Sequence, residues 1–226
     1  MKISHETLAV LKNFAGINSN ILVRAGNTLA TVSQGKNILA RATISENFPR
    51  EFAIYDLNSL LGLLTLVEDQ DVEFNESNIH ISNNGQNWKY NYSDPTVVTA
   101  APDKELEIDP AYTFTLTAEA IGMIHRNASI FSAPTVSIVA KDGKVVLSVG
   151  DPANANSNCY TKDIGETDLT FDARLKIENL KVIPDTYEVS LGKKKAMRFK
   201  SSTRELVYFL AMEPTFKRLD LIIFLL

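Results

Sequence analysis

Helical and strand-type patterns of hydrophobic residues follow one another along the chain in an order that occurs twice. The first helical stripe includes Leu8, Leu11 and Phe14 behind a capping serine, Ser4, and predicts a helix over 5–15. A second helix is predicted after Asp56, whose carboxylate can accept hydrogen bonds from the free amides of a first turn. The leucines that follow recur at i, i+3, i+4 and i+7, which is the spacing of one helix face.

The second half of the chain repeats these signals. Thr117 is the predicted cap of a helix over 118–131, whose outer face includes His125 and Arg126. A weaker copy of the Asp56 unit follows, in which the apolar stretch 169–171 leads to Asp172, and it predicts a fourth helix over 173–180. Ser4 and Thr117 are 113 positions apart, and Asp56 and Asp172 are 116 apart, so the register between the halves is nearly constant. This regularity indicates an internal duplication.

Short apolar runs separated by Gly, Asn and Asp predict strands joined by hairpins. The predicted strands lie at 21–24, 29–32, 38–44, 52–55, 72–74, 79–82, 88–92, 112–116, 136–140, 145–149, 159–162, 169–171, 187–191, 197–200 and 206–212. From its first helix onward, each half therefore has a helix, three strands, a further strand, a helix and three final strands, and the strand at 112–116 precedes the first helix of the second half. The predicted fold class is α+β, with two similar domains that each pack two helices on antiparallel sheet.

Three prolines interrupt the pattern in the middle of the chain, at Pro95, Pro102 and Pro110. Proline cannot donate to a sheet ladder, so this stretch is predicted to be an extended connector and not part of a sheet interior. The sequence therefore predicts a first domain over 1–93, a connector over 94–110 and a second domain over 111–213. An atypical apolar tail follows over 214–226.

Composition argues against an enzyme. The histidines His5, His80 and His125 lie far apart without metal-ligand spacing, and no nucleophile-elbow, phosphate-loop or dinucleotide motif occurs. We therefore predict no catalytic residues, no metal site and no cofactor. Cys159 is the only cysteine, so no intrachain disulfide can form. The chain does not begin with a signal peptide, and the apolar run 221–226 is too short to span a membrane, so no membrane partner is predicted.

The charge is distributed unevenly between helices and strands. The whole chain has a formal net charge of −4, which is not typical of a general nucleic-acid binder. The four predicted helices together carry about +2, of the sign that suits helices facing a polyanion. The charges counted are Glu6 and Lys12, Glu119 and Arg126, and, with the fourth helix taken as the segment 173–181, Arg174, Lys176, Glu178 and Lys181. Ordinary solvated helix faces explain the same pattern, and charge alone leaves both interpretations open.

Three groups of residues carry a resemblance to a known family. They are LKNFA at 11–15 with INS at 17–19, AIYDLN at 53–58 with LG at 61–62, and DPTVV at 94–98. Together they resemble the sliding clamp of T-even-type bacteriophages, the processivity factor of the phage DNA polymerase. The likeness is dense over about the first 100 residues and looser from there to residue 213, where it depends mainly on the order of elements.

The resemblance implies a DNA-clamp fold that forms a homotrimeric ring, with helices lining a hole through which duplex DNA passes without sequence reading. It implies the replicative DNA polymerase and a clamp loader as partners, and the cytoplasm of the infected bacterium as the location. Lys12 is carried over as a DNA-binding residue because it lies inside a matching run. The remaining DNA-binding candidates, placed by helix position, are His125, Arg126, Lys176 and Lys181. Val97 and Val98, in the predicted connector, are the candidates for partner binding.

Two questions stay open at this stage. Family members end in a short polar tail, whereas this chain ends in apolar residues. The tail over 215–226 is either a terminal strand or plug on the subunit's own sheet, a segment that imitates a partner's docking peptide, or an artefact of cloning or reading frame. The competing function is a non-enzymatic, β-rich structural or scaffold protein of the same duplicated build that does not bind DNA.

Overall fold

The computed structural model describes residues 1–66, 68–104, 106–193, 195–213 and 217–219. The chain divides into two compact units. The first contains Met1–Leu106, Lys181–Ile183 and Arg204–Tyr208, and the second contains the rest. The division after Leu106 falls inside the predicted connector 94–110. The boundaries at residues 93 and 111 stay a prediction.

Two helices belong to the first unit. Helix α1 spans His5–Ile17 and buries a stripe that includes Val10, Leu11 and Phe14. Helix α2 spans Leu57–Leu64 and buries four leucines. Asp56 caps α2, since its carboxylate accepts from Ser59 N at 3.1 Å. Both helices form where the sequence predicts them, because capping residues and apolar periodicity agree.

The strands of the first unit are β1 (Ile21–Val23), β2 (Gly26–Val32), β3 (Ile38–Phe48), β4 (Phe52–Ile54), β5 (Asp71–Phe74), β6 (Asn78–Asn83) and β7 (Gln86–Asn91). Antiparallel pairs join β1 to β4 and β2 to β3, while β5, β6 and β7 form a three-stranded sheet in that order. Phe48 lies 5.6 Å from Phe52 and 5.3 Å from Phe74 between ring centroids, which places an aromatic cluster in this core.

The second unit contains helix α3 (Ala118–Phe131) and the strands β8 (Pro110–Leu116), β9 (Thr135–Lys141), β10 (Lys144–Gly150), β11 (Tyr160–Glu166), β12 (Thr170–Lys176), β13 (Tyr187–Gly192), β14 (Ala196–Ser201), β15 (Leu206–Ala211) and β16 (Lys217–Leu219). One antiparallel sheet has the order β11-β10-β9-β12-β16. In another, β13 pairs with β8 and β14, and β15 is the next strand beside β14. The first half of β15 belongs to the first unit.

The predicted fold class is confirmed, but the fourth predicted helix is wrong. Residues predicted to form a helix over 173–180 instead continue strand β12 and end in a 3-10 turn at Ile177–Asn179. Phe171, Ala173 and Leu175 are buried while their neighbours are more exposed, which is the period of a strand. The second unit therefore has one α-helix among its described residues, and the prediction of two helices in each domain fails there.

Asp172 explains why the pattern misled. Its carboxylate accepts from Arg174 Nε at 2.9 Å, and Arg174 lies two residues further along the same strand face. The partner of Asp172 is therefore a side chain, whereas a helix-capping aspartate would bind the amides of a first turn. This hydrogen bond raises the pKa of Arg174, whose partial burial acts in the opposite direction. A capping residue ahead of a short apolar run therefore does not by itself separate helix from strand.

Part of the atypical tail lies within the described chain. Lys217–Leu219 forms β16 and pairs antiparallel with β12, from Thr170 to Asp172. The terminal-strand alternative therefore holds for these three residues. The rest of the tail, including the apolar run 221–226, lies outside the described residues, so the docking-peptide alternative stays a prediction.

Candidate nucleic-acid interface

Helix α1 is fixed at its N-terminus by a buried carboxylate. Ser4 caps the helix by accepting from Thr7 N at 3.2 Å, and Glu46 of β3 accepts from Ser4 N and from the Thr7 hydroxyl. Burial acts to raise the pKa of Glu46. The hydrogen bonds from Thr7, Ser4 and Ser45 outweigh burial, so that the pKa lies below its usual value. Glu46 is therefore held ionised near neutral pH, where a negative charge suits the N-terminal end of a helix dipole.

The outer face of α1 presents a lysine that has no ion-pair partner among the described residues. Lys12 is exposed, and no described residue forms an ion pair with it. His5, Ala9 and Gly16 are exposed on the same face, since they lie seven, three and four positions from Lys12. Ala9 and Gly16, which lie one helical turn from Lys12 on either side, have small side chains and leave its ammonium group accessible. That is a surface a polyanion can approach closely.

Lys181 reaches the same end of α1 from a distant part of the chain. Its Nζ donates to Gly16 O at 2.8 Å, and Asn13 Nδ2 donates to Lys181 O at 3.1 Å. Gly16 is one helical turn from Lys12, so two lysines share the C-terminal half of this face. A cation at the last carbonyls of a helix also interacts favourably with the helix dipole.

A buried tyrosine holds this second lysine in place. The hydroxyl of Tyr208 donates to Asn13 Oδ1 at 2.8 Å and accepts from Ile183 N at 3.2 Å. Tyr208 is fully buried, so both hydrogen bonds form away from water, where an unmade bond is costly. The segment Lys181–Ile183 is thereby attached to α1 through specific contacts. The sequence places Lys181 on a helix of its own; the structure places it beside α1 instead.

One acid on α1 is paired with an arginine that sequence reasoning missed. Arg204 Nε lies 3.4 Å from Glu6 Oε1, in the first turn of the helix. Glu6 and Arg204 are separated by almost the whole chain, and Arg204 precedes β15 in a loop. Neither motif nor periodicity points to such a pair. It becomes visible only when the fold brings the two segments together.

In the second unit, α3 presents a comparable but weaker face. His125 and Arg126 are exposed, and no described acid pairs with either. Arg126 Nη2 lies 3.0 Å from Met123 Sδ, a contact that leaves its charge available. Glu119, in the first turn of the helix, is also exposed. The two predicted residues of α3 are therefore both accessible on one helix.

Lys176 differs from the other candidates. It is the last residue of β12 and not a helix residue, and its Nζ lies 3.7 Å from Glu178 Oε1 in an exposed pair. Arg174, counted with the predicted fourth helix, is bound to Asp172 instead. These corrections remove the source of the predicted helix charge. Among the described residues, the acids Glu6 and Glu119 balance the bases Lys12 and Arg126 on the three helices.

The predicted partner-binding valines lie where the connector begins. Pro95–Val97 forms a 3-10 turn capped by Asp94, whose carboxylate accepts from Thr96 N at 2.8 Å. Hydrogen bonds from Thr96 lower the pKa of Asp94. Val97 is 54% exposed, high for an apolar side chain, whereas Val98 is half-buried. A fixed turn therefore presents one apolar side chain to solvent.

Long side chains fasten the following connector residues to the first unit. Asn20 Oδ1 accepts from Thr99 N at 2.8 Å, and Arg24 Nη2 donates to Ala101 O at 3.2 Å. Arg41 Nη2 donates to the carbonyls of residues 102 and 103 at 2.9 and 3.0 Å. The connector is thus ordered on the surface from 99 to 103. Sequence reasoning missed these three anchors, because an arginine that binds distant carbonyls has no local signature.

No cluster of His, Cys, Asp and Glu placed to hold a metal ion occurs within the described ranges. The helices described here include none long and apolar enough to cross a membrane.

Comparison with known proteins finds relatives over almost the whole chain. The family model for the DNA polymerase processivity factor matches residues 4–99. The sliding clamp of Enterobacteria phage T4 is 33% identical over 228 residues, covering 95% of this chain and 99% of the relative. This chain belongs to the family of T-even-type phage sliding clamps. Its membership makes it a processivity factor of bacteriophage DNA replication.

Solved structures of cellular clamps share the fold. PCNA from Thermococcus kodakaraensis aligns with a TM-score of 0.68 at 13% identity, over 94% of the clamp chain described here and 98% of its own. PCNA from A. fulgidus, in a structure with the C-terminal region of FEN-1 bound, aligns with a TM-score of 0.65 at 16% identity, over 91% and 94%. At these identities the likeness establishes the clamp fold alone, which confirms the fold expected from the resemblance.

Proposed function

We propose that this clamp assembles as a ring of three copies around duplex DNA and tethers the phage replicative polymerase, in the cytoplasm of the infected bacterium. The observation that carries the proposal is the outer face of α1, where Lys12 and Lys181 form a small cationic surface on a helix. The chain acts without catalysis, as a topological tether that a clamp loader places on DNA.

The modest size of this charge suits sliding. Each phosphate contact strengthens binding and releases counterions, so many tight contacts would resist movement along the duplex. Because the net charge of the chain is −4, positive charge that can attract DNA is limited to small groups of residues on its surface. Lys12 and Lys181 supply positive charge in the first unit, while Arg126, with the exposed His125 beside it, supplies it in the second. Lys176 contributes less, since Glu178 pairs with it. Contacts of this kind position the backbone and read no sequence.

Two free sheet edges offer a way to close the ring. In the three-stranded sheet, the β5 edge is covered, because Val72 N donates to Met1 O at 2.8 Å and the N-terminal amine donates to Val72 O at 2.6 Å. Strand β7 is the other edge, and β11 is the outermost strand of the five-stranded sheet. We propose that β7 of one copy pairs with β11 of the next, which removes both unpaired edges.

The side chains on these edges suit such pairing. Trp88 and Tyr90 on β7 and Tyr160 and Ile164 on β11 are all partly exposed. Aromatic and β-branched side chains facing one another across neighbouring strands stabilise a sheet by roughly 0.2–1 kcal/mol per pair. A continuous sheet would cover these groups further, whereas an isolated copy leaves them partly exposed.

The assembly distinguishes this proposal from a scaffold protein that does not bind DNA. Native mass spectrometry is expected to give a main species at three times the chain mass of 25.0 kDa. A dilution series is the control, since a specific ring keeps that mass until it falls below its dissociation constant and then yields monomer. A stable monomer at every concentration would contradict the ring.

Partner docking is proposed at the start of the connector, at Val97 with Val98 beside it. The bound C-terminal region of FEN-1 on A. fulgidus PCNA supports docking of a partner's tail. The anchors Asn20, Arg24 and Arg41 hold the following residues, so the site is ordered before a partner arrives, which lowers the entropic cost of binding.

Replacing Val97 with glutamate is expected to weaken binding of a short apolar peptide from the polymerase C-terminus by about tenfold, equivalent to about 1.4 kcal/mol. The reason is that docking would bury the new charge. Fluorescence anisotropy of the labelled peptide measures the effect. Leu66→Glu is the matched control, because Leu66 is 59% exposed against 54% for Val97. Equal affinities for both variants would exclude docking at Val97.

A further inference from the structure

The helices of this clamp do not by themselves provide a positive surface. Among the described residues, their two acids equal their two bases. A set of helices that is neutral overall attracts a polyanion only where local charges are unbalanced. The net charge around α1 therefore depends on residues from other segments of the chain, which determine whether the outer face of α1 is positive.

Two segments contribute charge beside α1. Lys181 adds a cation at the C-terminal end of the helix, through its hydrogen bond to Gly16 O. Arg204 adds a second cation at the N-terminal end, opposite Glu6. Two contacts fix the chain directly after Arg204 to the first unit. Thr43 N donates to Glu205 O at 2.8 Å, and Tyr208 binds Asn13 of α1.

Glu6 lies close enough to the cationic face to weaken it. Glu6 and Asn13 are seven positions apart and share a side of the helix, and Asn13 is the residue that holds Lys181. The side chain of Glu6 is 66% exposed, so its charge reaches solvent on the side from which DNA would approach. An unpaired carboxylate there would repel phosphates and offset one of the two lysines.

We propose that Arg204 belongs to the DNA-facing surface, where it cancels the charge of Glu6 and leaves Lys12 and Lys181 as the net charge of that face. This inference rests on the proposed DNA-encircling function and adds a residue to its site. Arg204 is a positioning residue for charge; the lysines make the phosphate contacts.

A cycle of four proteins tests the cancellation: the wild type, R204A, E6Q and the double variant E6Q/R204A. The readout is the occupancy of nicked circular duplex after loading, measured over a range of KCl concentrations. R204A is expected to lower apparent affinity by about threefold to tenfold at low salt and to approach the wild type at high salt, because salt screens exposed charges. E6Q is expected to raise affinity. The double variant restores the wild-type balance and is expected to match it.

Arg198→Ala is the matched control. Arg198 pairs with Glu188 at 2.9 Å, and the two pairs have similar exposure: 29% and 53% for this one, against 34% and 66% for Arg204 and Glu6. Both variants remove one positive charge and free one acid, but Arg198 and Glu188 lie on strands β14 and β13 and not beside a helix terminus of the first unit. Arg198 Nη2 also donates to Ser190 Oγ at 3.2 Å, so thermal unfolding of R198A is measured alongside loading. An equal loss for R198A and R204A would overturn the proposal, since the effect would then follow total charge.

The remaining outcomes are also decisive. A double variant as weak as R204A would mean that Arg204 acts on DNA directly and not by cancelling Glu6. E6Q changes the same Glu6–Arg204 charge balance without altering Arg204. It therefore still tests the inference if the R204A protein is too unstable to use. Unchanged DNA affinity in E6Q would overturn the inference. If Lys12→Glu weakens loading while R204A and E6Q do not, this inference fails and the proposed function stands. If Lys12→Glu has no effect either, the DNA-facing assignment of α1 itself fails.

Discussion

Replacing Lys12 and Arg126 together with glutamate is expected to reduce loading on DNA by about tenfold or more at low salt and to shorten polymerase products. Both side chains are exposed, and neither has an ion-pair partner among the described residues, so the fold does not need their charge. Each substitution reverses a charge, and a ring of three copies would multiply the change. Primer extension at several salt concentrations measures product length, and thermal unfolding verifies that the variant is folded.

The control reverses charge outside the helices, with Lys36→Glu and Lys200→Glu, one exposed lysine from each unit. This double variant has the same net charge as the first and is expected to load normally. Product lengths that stay at the wild-type value in the Lys12 and Arg126 variant would contradict the helix assignment. Equal defects in both variants would show that total charge, and not its position, governs loading.

Replacing Gly165 with alanine is expected to disrupt the ring. Gly165 lies in the edge strand β11 with φ at +154°, a conformation that side chains rarely adopt. A Cβ added there would lie 2.6 Å from the hydroxyl oxygen of Tyr112. The aromatic ring of Tyr112 packs against Phe114 and Phe171, at 6.0 and 5.5 Å between centroids, so the Tyr112 side chain cannot rotate away freely. The strand must therefore move, and its pairing edge moves with it.

Gly165→Ala is expected to shift the protein from trimer to monomer and to raise the dissociation constant of the ring by about tenfold or more. The reason is that register and edge geometry determine strand pairing. Native mass spectrometry at matched concentrations measures it. Adding Tyr112→Phe removes the clashing oxygen and is expected to restore part of the trimer, while the backbone strain remains. A Gly165→Ala protein that keeps the wild-type mass distribution would exclude β11 as the closing edge.

The sequence predicts the elements best where two independent signals agree. For α1 and α3, a capping hydroxyl and a 3.6-residue apolar period give the same answer, and both helices are found. At Asp172 only the capping signal was available, because the apolar run is short and fits either period. The segment forms a strand because β12 pairs with β9 in the tertiary structure.

The candidate site divides along the same lines. Lys12 and Arg126 could be named from sequence, since a predicted helix has a definable outer face. The sequence predicts Lys181 on a fourth helix that does not form, and its contact with Gly16, 165 positions away, has no local sequence signal. Arg204 and the connector anchors Arg24 and Arg41 could not be found, because their partners are distant in sequence or are backbone carbonyls.

The central claim, that the clamp surrounds DNA, is tested most directly by linearising the DNA beneath it. Clamps loaded on nicked circular duplex are separated from free protein, and the circle is then cut once with a restriction enzyme. A ring held by topology and weak backbone contact is expected to stay on the circle and to slide off the open ends within minutes of cutting. Protein that remains bound equally to cut and uncut DNA would contradict encirclement.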